Sequence, residues 1–213
     1  AMDRATMQKV ADIAIKYDLF VITDEVYQEY LYDDDVEFIS IASLPGMKER
    51  TVIVDSFSKT YAMTGWRIGY AIAPAQVINY MVKMQEGNAS CVNAPAQYAA
   101  LEALTGPQDD LEEMIAVFKK RRDLIVSEIN KIEGVSCAVP KGAFYLFVNI
   151  KKTGLSSDDF AVRLLQEGKV AVIPGNAFGP EGEGYVRMTY VTSEENILEG
   201  TRRMKCFIDE LNK

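Results

Sequence analysis

The sequence predicts an α/β fold followed by a smaller α+β region, and two observations support this prediction. Before residue 115, short apolar runs typical of strands alternate with amphipathic patterns typical of helices, as in a mostly parallel sheet with helical crossovers. After a long helical pattern at 108–132, strands and helices follow one another without that regular alternation. We therefore expect two domains, 1–115 and 116–213, with their boundary inside the long helix.

The first half of the chain combines helices with apolar strands. Helical spacing of apolar residues predicts helices at 4–17, 75–87 and 94–104. Short apolar runs predict strands at 19–23, 51–57 and 67–73. The first of these runs lacks a polar face, so we expect that strand to be buried on both faces, as in a parallel sheet. Asp3, which precedes the first helix, is a typical N-cap residue.

The second half begins with the long helix, which Pro107 and Gly134 delimit in the order that favours a helix start and a helix end. Beyond it, apolar runs predict strands at 143–150, 169–175 and 184–191. Helical spacing predicts helices at 156–167 and 194–211. This half is therefore expected to be a small α+β domain that the long helix joins to the first domain.

The composition excludes several classes of function. The net charge is −8 and the longest basic tract, 119–122, lies within a helical pattern, so we do not expect nucleic-acid binding. No uncharged apolar stretch is long enough to span a bilayer, so we do not expect membrane insertion. The three cysteines lie far apart and lack Cys-x-x-Cys spacing, which favours a reducing, cytoplasmic location without a metal site.

The chain contains no histidine, which restricts the catalytic chemistry available to it. Catalysis by Ser-His-Asp or Cys-His groups is excluded, and so are nearly all catalytic zinc sites. Any proton transfer therefore has to be carried by a lysine, tyrosine, aspartate or glutamate.

Lys59 and Arg67 lie in a stretch, DSFSKTYAMTGWRIGYAIA, that otherwise has the composition of a protein core. Burial lowers the pKa of a lysine, and a neutral lysine is a nucleophile that forms a Schiff base with an aldehyde. The alternative is a lysine whose ammonium group reaches solvent, as most do. Arg67 has the geometry to bind a phosphate through two parallel hydrogen bonds, and its alternative is an ion pair with Asp55 or another acid that only holds the edge of the sheet.

Hydroxyl groups beside Lys59 favour the first interpretation. Ser56 and Ser58 add donors to a turn whose backbone N–H groups also suit an anion. A lysine nucleophile next to a phosphate site suits an aldehyde that carries a phosphate.

Asp24 follows the apolar run at 19–23, where the carboxyl end of a parallel strand faces the ligand crevice. A buried carboxylate at this place needs a partner, and a protonated pyridine nitrogen is one. Tyr27 is close enough in sequence to direct its phenol at the same ligand. The alternatives are a helix N-cap for Asp24 and a core position for Tyr27.

Four segments occur in an order that resembles a known family: VITDEVYQEYLYDD, SFSKTYAMTGWRIGYAIAP, PKGAFYLFVNI and VAVIPGNAFGPEGEGYVRMTY. They resemble the second half of class I/II aminotransferases, which are fold-type I enzymes dependent on pyridoxal phosphate. The resemblance covers residues 3–211. It implies that the chain is a C-terminal portion, with part of the sheet of the fold-type I large domain and the complete small domain.

The resemblance implies roles at the cofactor ring for three residues. Lys59 is similar to the lysine that forms the Schiff base with pyridoxal 5′-phosphate and moves the proton between the substrate α-carbon and the cofactor C4′ atom. Asp24 matches the aspartate that keeps the pyridine nitrogen protonated. Tyr27 matches the tyrosine that donates a hydrogen bond to the ring hydroxyl.

The resemblance also implies the anion-binding residues. Ser56, Ser58 and Arg67 fall at the positions that bind the cofactor phosphate. Arg187 is similar to the arginine of the small domain that binds the substrate α-carboxylate. Its own surroundings in the sequence are equally typical of an ordinary exposed strand arginine.

The activity implied is transfer of an amino group between an amino acid and a 2-oxo acid, by a homodimer when the protein is full-length. A carbon–sulfur β-lyase is an alternative on the same scaffold, because it uses the same lysine and arginine. A second alternative is a C-terminal fragment without turnover, since the first half of the family supplies the ring-stacking aromatic residue and part of the phosphate site.

Overall fold

The structure of the chain is a computed structural model that describes residues 2–33 and 35–211. Residues 1 and 213, the predicted ends of the two domains, lie outside the described residues, as do residues 34 and 212. The chain divides into two compact units, unit 1 (residues 1–115) and unit 2 (residues 116–213). The α/β and α+β fold classes that the sequence predicts for the two halves are confirmed.

Unit 1 contains the helices and strands predicted for the first half, within a few residues at their ends. Its helices are α1 (Arg4–Lys16), α2 (Phe57–Thr60), α3 (Ala75–Ala89) and α4 (Ala94–Thr105). Its strands are β1 (Val21–Asp24), β2 (Thr51–Ser56) and β3 (Gly69–Ile72). The side chain of Asp3 accepts a hydrogen bond from the N–H of Thr6, so the predicted N-cap of α1 is confirmed.

The sheet of unit 1 has the order β1-β2-β3 and is mixed. β1 runs parallel to β2, whereas β3 runs antiparallel to it. The connection from β2 to β3 contains only the four-residue α2 and a 3₁₀ turn, and a parallel pair would need a full crossover instead. As a result, the carboxyl ends of β1 and β2 and the amino end of β3 meet at one edge of the sheet.

The prediction that the strand at 19–23 is buried on both faces is wrong for the described chain. Ile22 is 75% exposed and Phe20 is 66% exposed. Only one side of this region packs against a core, in which Val21 contacts a cluster built from α1 and residues 39–47. A continuous apolar run predicts two buried faces only where a layer covers each of them, and the described residues supply one such layer here.

A second cluster in unit 1 fixes the segment after β2. Phe57, Met63 and Ile68 pack against Ala96 and Ala100 of α4. The Phe57 ring also stacks on Tyr61, with their centroids 5.7 Å apart. Because Phe57 and Met63 flank Lys59 in sequence, this packing anchors both ends of the turn that carries the lysine.

Unit 2 is a four-stranded antiparallel sheet with helices. Its sheet has the order β4-β5-β7-β6, with β4 (Ser136–Cys137), β5 (Tyr145–Asn149), β6 (Ile173–Pro174) and β7 (Tyr185–Thr189). Its helices include α6 (Ser157–Arg163), which continues as a π turn, and α7 (Glu194–Leu211). The long helix α5 (Asp109–Ile129) crosses the boundary between the two units. The two-residue β4 was not predicted, since it is too short for a recognisable pattern.

The core of unit 2 follows the alternation of its strands. Leu146 and Val148 of β5 and Val186 of β7 are at most 1% exposed. Met204 and Ile208 of α7 are buried to the same degree. The core of unit 2 is therefore built from alternate residues of β5 and β7 together with the apolar stripe of α7.

No helix in residues 2–33 or 35–211 combines the length and the apolar character that crossing a membrane requires.

Candidate active site

Four of the predicted site residues lie at one edge of the sheet of unit 1. Asp24 is the last residue of β1, Ser56 is the last residue of β2, and Lys59 follows in α2. Arg67 lies just before β3, whose first residue, Gly69, pairs with Ser56. The strand register thus brings their backbones to the edge where the carboxyl ends of β1 and β2 meet the amino end of β3.

The close approach of β2 and β3 at this edge depends on Gly69. A Cβ atom at this position would lie 2.7 Å from the backbone oxygen of Asp55, which is closer than real Cβ contacts allow. The hydroxyl of Ser56 donates to the carbonyl of Ile68 at 3.3 Å and so ties the same two strands. The absent side chain at Gly69 is therefore what lets the Ser56 and Arg67 segments lie side by side.

The Ser56 hydroxyl also caps α2. Its oxygen accepts a hydrogen bond from the backbone N–H of Ser58 at 2.9 Å. Both serines are half-buried. Ser56 thereby fixes the first turn of α2, in which Lys59 is the third residue.

Lys59 is half-buried, and its backbone is held by Tyr30. The Tyr30 hydroxyl donates to the Lys59 carbonyl at 2.7 Å, and the tyrosine is only 2% exposed. Burial raises the pKa of Tyr30 to about 12, so the phenol stays protonated and remains a donor. Sequence reasoning missed Tyr30. Its position three residues after Tyr27 is a signal that both rings lie on one face of this segment. Their centroids are 6.3 Å apart.

Arg67 has a left-handed backbone, with φ of 53° and ψ of 49°. This conformation is uncommon outside glycine, and it persists where the surrounding structure imposes it. The Arg67 side chain is exposed, and one of its Nη atoms donates to the carbonyl of Thr64 at 2.9 Å. Within the described residues it forms no ion pair with a carboxylate, so most of its donors are available to an anion.

The predicted alternative for Arg67, an ion pair with Asp55, is wrong. The Asp55 carboxylate is buried and accepts from the Tyr70 hydroxyl at 2.8 Å and from Gln28 Nε2 at 3.0 Å. Burial and the bond to this carboxylate raise the pKa of Tyr70, which keeps the phenol protonated as a donor. Sequence reasoning missed Tyr70, because its partner lies on the neighbouring strand.

Asp24 is exposed, which differs from the predicted burial. One of its carboxylate oxygens accepts from the N–H of Val26 at 3.2 Å, within a turn that leads into no α-helix. The alternative of a helix N-cap is therefore wrong. Tyr27 is half-buried. Between them, Glu25 is buried and accepts from the Ser40 hydroxyl at 2.7 Å, and burial raises the pKa of its carboxyl.

Arg187 lies in unit 2, on β7, and is half-buried. Its guanidinium carbon is 4.4 Å from the centroid of the Tyr145 ring and 4.4 Å from that of Phe178. In residues 2–33 and 35–211 its guanidinium has no hydrogen-bond acceptor and no carboxylate partner. Sequence reasoning missed both rings, since the residues directly opposite Arg187 in the sheet are Phe147 and Ile173.

A cavity of about 510 Å³ opens in unit 1 beside the residues that follow Lys59. Its lining includes Thr60, Tyr61, Glu102 and Gln108. Burial raises the pKa of Tyr61, and the acidic groups of unit 1 add to this effect. The cavity thus combines a protonated phenol with a carboxylate rim, next to the lysine but not including it.

The groups at this edge of the sheet suit three kinds of interaction or chemistry. The Ser58 hydroxyl, the Ser56 hydroxyl in exchange for its 3.3 Å bond to Ile68, and the guanidinium of Arg67 suit a dianionic phosphate. The amine of Lys59 suits condensation with an aldehyde or transfer of a proton. The carboxylate of Asp24, at the end of β1, suits a cationic ring nitrogen.

Comparisons with known proteins agree with this chemistry. The family model described as aminotransferase class I and II matches residues 1–204. Over 211 residues the chain is 47% identical to the aspartate aminotransferase of Pyrococcus abyssi, covering 98% of this chain and 54% of that protein. It is 44% identical over 211 residues to aromatic-amino-acid aminotransferase 2 of Thermococcus litoralis, with the same coverage of both.

Solved structures show the same likeness. The crystal structure of the aromatic aminotransferase from Pyrococcus horikoshii matches with a TM-score of 0.95 at 45% identity, covering 99% of this chain and 56% of that one. The chain spans about half the length of the curated relatives it matches.

Proposed function

Because the chain belongs to the class I and II aminotransferase family, we propose that it is part of a pyridoxal-phosphate enzyme that transfers an amino group between an amino acid and a 2-oxo acid. In this proposal, residues 1–115 are the C-terminal part of the cofactor-binding large domain and residues 116–213 are the small domain. Dimerisation of the full-length protein and a cytoplasmic location stay predictions.

The donors at the sheet edge fit the cofactor phosphate. Ser56 and Ser58 carry half-buried hydroxyls in the turn before Lys59, and Arg67 has no carboxylate partner in the part of the chain that the structure describes. A guanidinium and hydroxyls in such a place bind a phosphate more strongly than neutral donors alone. In the proposed enzyme these three residues hold the phosphate and so fix the position of the cofactor.

Lys59 and the end of β1 carry the chemistry in this proposal. When bound, pyridoxal phosphate supplies an aldehyde and a ring that accepts electrons from the substrate α-carbon. Lys59 Nζ would hold the cofactor through its aldehyde carbon, and the same amine would accept and return the proton of the substrate α-carbon. Asp24 holds the proton on the ring nitrogen, and Tyr27 donates to the ring hydroxyl.

Arg187 binds the α-carboxylate shared by the amino acid and the 2-oxo acid. Its five N–H donors meet no acceptor in the described residues, and an unpaired guanidinium on a half-buried strand position suits a carboxylate through two parallel bonds. The relatives are named for aspartate and for aromatic amino acids, so the substrate of this chain is proposed at the level of amino acids only.

The observation that supports the cofactor assignment most directly is the state of Arg67. Arg67 has a backbone φ of 53° and lies at the same edge of the sheet as Lys59 and Asp24. Its guanidinium is not paired with Asp55, because the Asp55 carboxylate accepts hydrogen bonds from other donors. A guanidinium that is exposed and has no carboxylate partner among the described residues is available to bind an anion at this edge.

The first experiment tests the bond to Lys59. Purified chain is mixed with pyridoxal phosphate, reduced with borohydride, digested and analysed by mass spectrometry. We expect visible absorbance that reduction removes, and a pyridoxyl group on the peptide that contains Lys59. Lys59→Ala abolishes both signals, whereas the exposed lysine variant Lys83→Ala retains them. Labelling spread over many lysines, without loss in Lys59→Ala, would contradict the proposal.

The second experiment separates the activities on the full-length protein that contains this chain. Incubation with an amino acid and a 2-oxo acid is expected to yield a new amino acid, as transfer requires. Release of pyruvate and ammonia from cystathionine would indicate the carbon–sulfur β-lyase instead. Absence of both reactions in a protein that still labels at Lys59 would indicate cofactor binding without turnover.

A further inference from the structure

The orientation of Arg187 is set by aromatic rings and not by an acid. Arginines on sheets are commonly fixed by a carboxylate or by backbone carbonyls, but Arg187 has neither in the described residues. Its only close contacts of a polar or electrostatic kind there are with the rings of Tyr145 and Phe178, each with its centroid 4.4 Å from the guanidinium carbon. Distances of this size are well within the range of favourable cation–π contacts.

The two rings are themselves anchored. The Tyr145 ring lies 4.9 Å from Phe144, which is 7% exposed. The Phe178 ring meets Phe147 edge to face at 6.3 Å, and Phe147 in turn stacks on Tyr185 at 5.1 Å. Tyr145 lies on β5 and Phe178 lies in the 3₁₀ turn Gly175–Phe178, so two separate elements hold the same guanidinium.

This arrangement has a consequence for an anion receptor. A carboxylate that fixed Arg187 would also neutralise it and occupy its donors, whereas an aromatic ring attracts the cation through its face and accepts none of the hydrogen bonds. The guanidinium therefore stays positively charged, restricted in its motion and unbonded at its N–H groups. These are the properties that reduce the entropy lost when a carboxylate binds.

We propose that Tyr145 and Phe178 are positioning residues that hold Arg187 ready for the substrate carboxylate. The inference rests on the proposed function, because it assigns the carboxylate to Arg187. It adds that binding strength at this arginine depends on two aromatic rings of unit 2.

The test uses the 213-residue chain and three leucine variants, with pyruvate as the probe. Tyr145→Leu and Phe178→Leu each remove one ring from Arg187. Tyr145→Phe keeps the ring and removes only the hydroxyl. Tyr80→Leu is the matched control, since it removes a ring that contacts a different cation, Lys83, at 5.7 Å.

Two signals are measured by NMR. The Arg187 Nε–Hε and Cδ–Hδ resonances, assigned by their loss in Arg187→Lys, report ring-current shifts from the two aromatic residues. Their movement during a pyruvate titration gives the dissociation constant, and methyl pyruvate, which lacks the carboxylate, is the ligand control. Thermal unfolding of each variant checks that the fold is retained.

We expect upfield-shifted Arg187 resonances in the parent chain, with part of that shift lost in each of the two ring-removing variants. Pyruvate binding weakens about fivefold for Tyr145→Leu and for Phe178→Leu. This is the effect expected from the loss of one cation–π contact that is exposed or half-buried. Tyr145→Phe and Tyr80→Leu bind as the parent does. Methyl pyruvate does not move the Arg187 resonances.

The possible negative results distinguish the positioning role of the two rings from the proposed function. If the parent binds pyruvate and both ring-removing variants bind it equally well, the positioning role is wrong while the proposed function stands. Arg187 resonances without a ring-current shift would overturn the positioning role in the same way. If the parent does not bind pyruvate at Arg187, the carboxylate role in the proposed function is wrong, and the inference falls with it.

Discussion

The two units differ in how their apolar surfaces are covered. In unit 2 one face of the sheet is fully covered, and Leu146, Val148 and Val186 on that face are at most 1% exposed. In unit 1, Ile22 is 75% exposed and Ile72 is 57% exposed, and α3 has no buried residue at all among those described. The same kind of sequence, a short apolar strand, therefore ends in a packed core in one unit and on the surface in the other.

Their polar interiors differ as well. Unit 1 buries two carboxylates, Glu25 and Asp55, next to the sheet edge that carries the candidate site. Unit 2 places its acidic groups in exposed helix pairs, such as Glu199 with Arg202. The comparison teaches that unit 1 concentrates its tight packing and its buried charge at the functional edge, whereas unit 2 distributes tight packing through its whole core.

The largest expected effect separates the two units directly. Leu146→Ala is expected to lower the free energy of unfolding of unit 2 by about 3 kcal/mol, because it removes a fully buried side chain and leaves a cavity. Ile22→Ala changes that of unit 1 by less than about 0.5 kcal/mol, because its side chain already lies in solvent. Amide exchange of β5 and of β1 at increasing urea concentrations measures the two values.

Equal effects of these two substitutions would break the comparison. They would mean that the outer face of β1 is covered in solution, for example by association of two chains. Repeating the measurement at several protein concentrations distinguishes such association from packing within one chain, since only association depends on concentration.

A smaller effect tests whether unit 1 is tightly packed at its functional edge. Gly69→Ala would place a Cβ 2.7 Å from the Asp55 oxygen, so β2 and β3 have to separate. We expect a loss of about 2 kcal/mol, typical of overpacking, together with weaker pyridoxal-phosphate binding. Gly65→Ala is the matched control, because nothing lies within 4 Å of its added Cβ. Urea unfolding and cofactor titration of both variants provide the measurement.

If Gly69→Ala left the free energy of unfolding and cofactor binding unchanged, β2 and β3 would be able to move apart without loss of stability. In that case the sheet edge is as loosely held as the exposed face of β1, and the contrast within unit 1 disappears.

The smallest expected effect is the dependence of stability on pH, which has opposite directions for a buried glutamate of unit 1 and an ion-paired glutamate of unit 2. Burial raises the pKa of Glu25 above its ordinary value of 4.5, so its contribution to stability is present below pH 4.5 and is lost as the pH rises through the folded-state pKa. Glu25→Gln should therefore gain stability relative to the parent between about pH 4 and pH 7, by less than about 1.4 kcal/mol for each unit of pKa difference. Urea unfolding across this pH range measures the difference.

The matched variant lies in unit 2. Hydrogen bonds from Arg202 and then Arg203 lower the pKa of Glu199 to about 2, so its contribution is present above pH 4.5 and is lost as the pH falls towards 2. Glu199→Gln is therefore expected to lose stability relative to the parent at neutral pH and to match it in acid. The same pH dependence for both variants would contradict the difference in buried charge between the units.

Much of the candidate site is visible in the sequence. Lys59, Arg67 and Asp24 stand out because charged side chains follow or interrupt apolar runs, and a strand end is recognisable from a few neighbouring residues. Arg187 does not stand out, since an arginine in an alternating strand is ordinary. Its significance depends on Tyr145 and Phe178, which are distant in sequence and form no local pattern with it.

The fold shows the same division between local and distant information. The helix at 194–211 is confirmed at both ends because its period and its cap are local. The antiparallel direction of β3 and the exposure of Ile22 depend on which layers exist around a strand, and no window of sequence contains that information.

The sequence by itself determined the order of most helices and strands and the residue types that these 213 residues offer for chemistry. Each of these depends on residues close together in the chain or on composition alone. Tertiary structure decided that Asp55 pairs with Tyr70 and not with Arg67, and that two rings hold Arg187. These outcomes result from competition between donors and acceptors that only the folded chain brings within reach of one another.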